Sequence, residues 1–196
     1  DNITVSLAIE GSDGKNTKIA GKTLELNESN NWSGVFTDLD KKDSDGNIIK
    51  YTVVENDVPG YTGKVTLTQD ENNVVTGATI LNRLNTGTFV ITKVFSGDLD
   101  STKLTDAQKK QIKFNISGPD EYKGPKSITY DRFIAGNYII SDVPYGTYKI
   151  TESNADITGY KHTVRYSVGE TSSSDSATVS ISSSNAILAK VINRND

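Results

Sequence analysis

Apolar and polar residues alternate with a period of two along most of this chain, in short stretches broken by turn residues. ITVSLAI (3–9), KTLELN (22–27), NWSGVFTDL (31–39), IIKYTVVE (48–55) and GKVTLTQD (63–70) each place every second residue on one face. That pattern predicts half-buried strands of an antiparallel sandwich. Ser12-Asp13-Gly14 and Ser44-Asp45-Gly46-Asn47 supply the residues that tolerate positive φ or close Asx turns between them. A second series follows in the same order: FVITKVF (89–95), IKFNIS (112–117), NYIISDV (137–143), TYKITE (147–152), KHTVRYSV (161–168), SATVSIS (176–182) and AILAKVIN (186–193). The polar runs Thr171 to Ser174 and Ser182 to Asn185 read as hairpin loops. One segment breaks the alternation. Thr105 and Gln108 have capping-box spacing and Asp106 sits in the first turn, which predicts a short helix over 106–111.

The two series are copies. Tyr51 and Glu55 in the first match Tyr148 and Glu152 in the second, and each pair is followed by a Gly-Tyr turn, Gly60-Tyr61 and Gly159-Tyr160. ILNRLN, holding Asn82, matches the closing VINRND, holding Asn193, and Gly11 matches Gly118. An all-β chain of two tandem sandwiches is therefore expected, 1–85 and 86–196, joined at Asn85-Thr86-Gly87-Thr88. Ahead of the second copy alone stands V-I-T-K with Lys93. Lys93 precedes Gly118 by about 25 positions, which places its counterpart about 14 residues before Asp1, so the first domain is expected to lack its first strand.

Composition narrows the function. Net charge is −4 with both signs interspersed, which leaves no electrostatic footprint for nucleic acid or an anionic membrane surface. Cysteine is absent, so neither disulfides nor thiolate metal sites are expected to hold the fold. The chain opens on Asp1 with no apolar leader or span, and reads as a piece of a longer precursor. His162 is the only histidine, and Lys41 to Thr52 fails both the first and the twelfth ligand positions of a calcium loop. No metal or cofactor is expected.

Three residue types stand where strand chemistry does not favour them. Alternation puts Lys93 on one face with Phe89, Ile91 and Phe95, Glu152 with Tyr148 and Ile150, and Asn193 with Ala189 and Val191. Each has an ordinary reading: an edge-strand lysine with its ammonium in solvent, a solvated glutamate at a strand end, an asparagine that ends a strand. Together they have a chemistry. An amine buried among apolar groups loses its proton readily and becomes a nucleophile. A protonated carboxyl group beside it donates a hydrogen bond to the asparagine carboxamide and makes that carbon more electrophilic. Attack with loss of ammonia would leave an amide between Lys93 and Asn193, formed once per molecule and without turnover.

V-x-x-K, then Y-x-x-x-E with its Gly-Tyr turn, then I-N before the domain end, resembles the B-type (Cna B-like) repeats of Gram-positive collagen adhesins and pilins. LNESNNWSGVFTDL (26–39) and YTVVENDVPGY (51–61) are similar to characteristic parts of those repeats, and ITKVFSG with LTDAQKKQIKF to their pilin-type variants. The resemblance implies inverse immunoglobulin-like sandwiches carrying an intramolecular Lys-Asn isopeptide bond. It makes Lys93 and Asn193 the linked residues, with Glu152 promoting the reaction. Glu55 and Asn82 match without their lysine; Lys18 and Lys22 fall in the expected turn region and are poor substitutes. The implied role is a structural stalk or shaft module of an extracellular, cell-wall-anchored adhesin or pilin, and not an enzyme. Its partners would be neighbouring domains of the same protein, other pilin subunits or a host matrix protein. A module that binds host matrix protein or glycan is the alternative, with Trp32 as a sugar platform or as packing between sheets. Stalk and shaft are not separated: no LPxTG-like motif is present, and Pro125-Lys126 is a weak hint of a linking lysine.

Overall fold

The computed structural model describes residues 2–196 and divides after Leu84 into two compact units. In the first, β1 (Ile3–Glu10) lies between β2 (Asn16–Leu26) and β3 (Tyr51–Glu55), and a separate hairpin pairs β4 (Tyr61–Gln69) with β5 (Val75–Leu84). All these pairings are antiparallel. Val5, Leu7 and Ala8 of β1 are its buried apolar residues. Ser6 between them is buried as well, so β1 is covered on both faces over residues 5–8, while the extra residues of a bulge fall in β2, whose register against β1 shifts between Ser6 and Ala8.

Residues 31–39, expected as a strand, are irregular. Asn31 and Trp32 have left-handed backbones with φ of 51° and 54°, and Trp32 remains 48% exposed instead of filling the core. Alternation supplies side chains for one face, but a strand also needs a neighbour for its amides, and no strand lies beside this segment among the described residues. Lys18 and Lys22 lie within β2 and not in a turn. The Asp43 to Asn47 segment is a turn closed by the Asp43 carboxylate, which accepts the Asp45 and Asn47 amides; these bonds hold its pKa below the usual range.

The second unit is a two-layer sandwich. Its strands are β6 (Thr86–Gly97), β7 (Lys113–Ser117), β8 (Ser127–Thr129), β9 (Asn137–Pro144), β10 (Gly146–Ser153), β11 (His162–Val168), β12 (Thr171–Ser173), β13 (Ala177–Ile181) and β14 (Ile187–Asn195). One sheet has the order β12-β11-β14-β6-β9 and the other β13-β10-β7-β8. The first strand of the unit lies beside its last: β6 and β14 run parallel, with Lys93 opposite Val191 and Phe95 opposite Asn193. The core between the sheets includes Phe89, Phe114, Tyr148 and Ile150, all fully buried. Burying each such side chain contributes about 1.5–3 kcal/mol. Tyr148 leaves so little room that a Cβ on Gly118 would meet its ring at 2.4 Å, so only glycine fits there. Helix α1 (Asp106–Gln111) forms where the capping-box spacing placed it, with Thr105 and Gln108 capping each other. Two loops differ from expectation. Thr171–Ser173 pairs with β11 as β12, and Ser182 to Asn185 carries the chain from one sheet to the other instead of closing a hairpin.

The repeat survives in the geometry. Asp38 and Asp142 both adopt left-handed backbones, with φ of 57° and 55°. Two residues further on, the carbonyl of Asp40 accepts the Tyr51 hydroxyl at 3.0 Å, as that of Pro144 accepts the Tyr148 hydroxyl at 2.7 Å. Residues 33–40 of the first unit therefore stand where β9 stands in the second.

Candidate functional site

Period-two alternation sends the Lys93 side chain inward from β6, an interior strand flanked by β14 and β9. The edge-strand reading is thereby excluded. Across the layer, the end of β10 presents Glu152, opposite Phe114 of β7. Lys93 Nζ and Glu152 Oε1 lie 2.8 Å apart, with side-chain exposures of 0% and 1%. The two form a buried amine–carboxyl contact screened from water. Burial is the larger influence on Lys93 and lowers its pKa from 10.5 to about 8; the Glu152 carboxylate opposes that shift.

Asn193 sits on β14, two residues beyond the partner of Lys93 and on the same inward face. It is fully buried, yet neither its Nδ2 nor its Oδ1 has a hydrogen-bond partner among the described residues. A buried carboxamide without partners is costly. The structure therefore brings Lys93, Glu152 and Asn193 into one dry region, with the Phe95 ring centroid 4.7 Å from the Lys93 ammonium.

Two residues of this region escaped the sequence reading. Tyr166 on β11 accepts the Glu152 backbone amide through its hydroxyl at 2.8 Å and so fixes the end of β10. Asn195, 1% exposed, is a second inward carboxamide without partners. Continuing the alternation from Ala189 through Asn193 by one step would have placed Asn195; nothing local marks Tyr166, whose contact crosses between sheets. His162 opens β11, with Nδ1 3.2 Å from Asp156 Oδ1.

In the first unit Glu55 ends β3 and Asn82 lies on β5, as their counterparts do on β10 and β14. Here the two meet directly: Asn82 Nδ2 donates to Glu55 Oε1 at 2.8 Å, while Asn82 Oδ1 is buried without a partner. Neither lysine of β2 reaches them. Lys18 Nζ donates to Asn56 Oδ1 at 3.1 Å and Lys22 Nζ to the Thr37 carbonyl at 2.8 Å. Beside the pair opens a cleft of about 470 Å3, lined by apolar residues from Ile3 to Ile80 that include Trp32 and Phe36. Among the described residues no group of acidic, histidine or cysteine side chains could hold a metal ion, and no helix is long and apolar enough to cross a membrane.

Comparison with known proteins divides the chain in the same way. Residues 1–83 match the model of the Cna protein B-type domain, and residues 89–193 match a family described as a domain of unknown function, DUF5979. A collagen adhesin of Staphylococcus aureus is 32% identical over 167 residues, covering 79% of this chain and 13% of that adhesin's own length. Among solved structures, a Mobiluncus mulieris adhesin with intramolecular disulfide, isopeptide and ester bond cross-links aligns over 100% of this chain and 84% of its own, at 15% identity and a TM-score of 0.47. The pilus adhesin SpaC of Lactobacillus rhamnosus GG aligns over 100% of this chain and 26% of its own, at 16% identity and a TM-score of 0.39.

Proposed function

The chain belongs to the DUF5979 family and carries a Cna protein B-type domain ahead of that match, and from this premise we propose that it is a structural module of a Gram-positive surface adhesin or pilin, locked by a self-made amide between Lys93 and Asn193. The observation that carries the proposal is the buried contact of Lys93 with Glu152, on a strand laid parallel beside that of Asn193.

Transfer of a proton from the Lys93 ammonium to the Glu152 carboxylate leaves a neutral amine and a carboxylic acid. The amine lone pair forms the new bond to Asn193 Cγ while the acid donates to the carboxamide oxygen. The bond from Cγ to Nδ2 then breaks. Ammonia leaves with both carboxamide hydrogens and one from the amine, relayed by Glu152. No water or cofactor is consumed, and Lys93 is used up, so the module is no enzyme in the sense of turnover. Burial supplies the driving condition by disfavouring the cation.

The topology suits a load-bearing role at the cell surface. With β6 first, β14 last and the two parallel, a pull on the ends of the unit shears these neighbours along their length. A covalent strut between them would carry that load past the intervening fold, in series with neighbouring domains or other subunits. Intact-mass measurement tests the bond: the chain should be lighter than its sequence by one ammonia, and a branched peptide should join Lys93 to Asn193. The full sequence mass would sink the proposal. Glu152→Gln should retain the ammonia.

A further inference from the structure

Formation of the Lys93 bond would release ammonia among side chains closed to solvent, with Lys93 and Asn193 both fully buried there. Ammonia held beside the new amide would reverse the step, because a nucleophile fixed next to its target acts as though at about 10⁵ M or more. Two directions lead away along the inward face of β14. Toward its start stand Val191 and Ala189, both apolar and fully buried. Toward its end stands Asn195, two residues and about 7 Å beyond Asn193.

Asn195 has a polar neighbour across the sheet. Lys161 and Asp196 exchange both backbone hydrogen bonds, at 2.8 and 3.2 Å, so the next pair along the ladder, His162 with Asn195, is a non-hydrogen-bonded one. Side chains of such a pair share one face at the closest spacing a sheet allows, about 4.5 Å between Cα atoms. Asn195 is 1% exposed, and neither its Nδ2 nor its Oδ1 has a partner among the described residues. His162 Nε2 is buried without a partner as well, so the two side chains do not satisfy each other. The other ring nitrogen, Nδ1, lies 3.2 Å from Asp156 Oδ1. A carboxylate only accepts, so Nδ1 carries the proton and Nε2 of the neutral ring keeps a lone pair. The Asp156 side chain is 92% exposed and that of His162 15%. On the other side of Asn195, Gly97 of β6 supplies no side chain. The row runs from the departing Nδ2 of Asn193, past a buried donor and acceptor, to a buried acceptor, and out to a carboxylate in water.

We propose that Asn195 and His162 form a transit site through which ammonia released from Asn193 leaves the core. Ammonia donates to Asn195 Oδ1 and then to His162 Nε2, and its lone pair accepts from Asn195 Nδ2. It passes the imidazole and reaches solvent beside Asp156 as the neutral molecule. No covalent bond forms or breaks in this passage. The three hydrogens that ammonia took on leaving Asn193 stay with it, and Glu152 keeps the remaining proton of the original ammonium. The inference rests on the Lys93 to Asn193 bond proposed above and adds what makes that bond final, since escape removes a nucleophile placed to cleave it.

The test follows bond formation in the full 196-residue chain during cell-free synthesis, with samples quenched in acid and read by intact mass. Asn195→Leu keeps the shape and removes both polar atoms; His162→Phe keeps a ring and removes Nε2. Each should slow the loss of ammonia about tenfold or more, because a polar molecule crossing a buried apolar stretch forgoes its hydrogen bonds. His162→Gln, which keeps a polar end, should recover most of the parent rate. In the Asn193→Ala background, where no ammonia is released, Asn195→Leu and His162→Phe should leave the thermal midpoint unchanged or raise it, since both remove buried groups without partners. A lower midpoint in that background would reduce the two residues to a structural role and overturn the inference. A parent chain at its full sequence mass would remove the Lys93 bond and the inference with it. Variants as fast as a parent that does lose ammonia would overturn the transit site alone.

Discussion

The two units carry the same glutamate and the same asparagine on equivalent strands, yet the pair behaves differently in each. In the first, Asn82 donates to Glu55 at 2.8 Å. In the second, Glu152 faces Lys93 at the same distance and Asn193 has no partner. The difference is one strand. Where the described residues hold no counterpart of β6, the acid accepts an N–H of the amide; where β6 is present, the lysine faces the acid and the amide is left buried without a partner. A carboxylate with only a carboxamide in reach accepts from it, and one with a lysine in reach faces the lysine.

The largest test of that contrast is Glu152→Ala against Glu55→Ala. Removing Glu152 blocks the proposed bond and strands a buried cation, an expected loss of about 3–5 kcal/mol before the missing crosslink is counted. Glu55→Ala has no lysine to strand and should cost far less in thermal unfolding of its own unit. Equal losses would break the contrast.

Asn193→Ala comes next. Lys93 and Asn193 stand about 100 positions apart, and closing a loop of that length covalently stabilises by about 4–5 kcal/mol in the chain-entropy account. Loss of that order, with the full sequence mass restored, is expected from denaturant titration. An unchanged midpoint would show that no bond had formed in the parent chain.

The same variant gives a pH signature. With no acceptor Lys93 stays ionisable, titrating at about 8 when folded and at 10.5 as its ordinary value when unfolded. Between these the unfolded chain holds a proton that the folded one has released, so stability rises with pH there. The deficit of Asn193→Ala relative to the crosslinked parent should shrink by about 2–3 kcal/mol as pH rises from 8 to 10.5. The buried tyrosines, whose pKa values are raised by burial, are present in both proteins and cancel. A deficit independent of pH would place the Lys93 amine in solvent.

Asn82→Ala should have the smallest effect. It removes one hydrogen bond to a partly exposed carboxylate, about 1–2 kcal/mol, and leaves the parent mass loss intact. Gly63→Ala probes the same contact by pushing the Glu55 carboxylate aside, and a cost above that of Asn82→Ala would show that backbone, not side chain, had to yield.

Much of this was legible along the chain. Alternation located β6, β10 and β14 and put Lys93, Glu152 and Asn193 on their inward faces, and the spacing of Thr105 and Gln108 located α1. The failures share a cause. Residues 31–39 have a strand's alternation but no neighbour to receive their amides, Thr171–Ser173 has a neighbour but no apolar alternation, and Tyr166 acts through a contact with the opposite sheet. Pattern reports which face of a segment is apolar and is silent on what lies across from it.

The sequence by itself therefore determined the duplication, the two copies of glutamate and asparagine and the single V-I-T-K lysine, because these are local facts of residue type and period. Tertiary structure alone decided that Lys93 loses its water and meets Glu152, that Asn193 is left without a partner, and that Asn82 is not. Desolvation and partnering depend on which strands become neighbours, and in this chain the strands that matter meet across about a hundred residues of intervening fold.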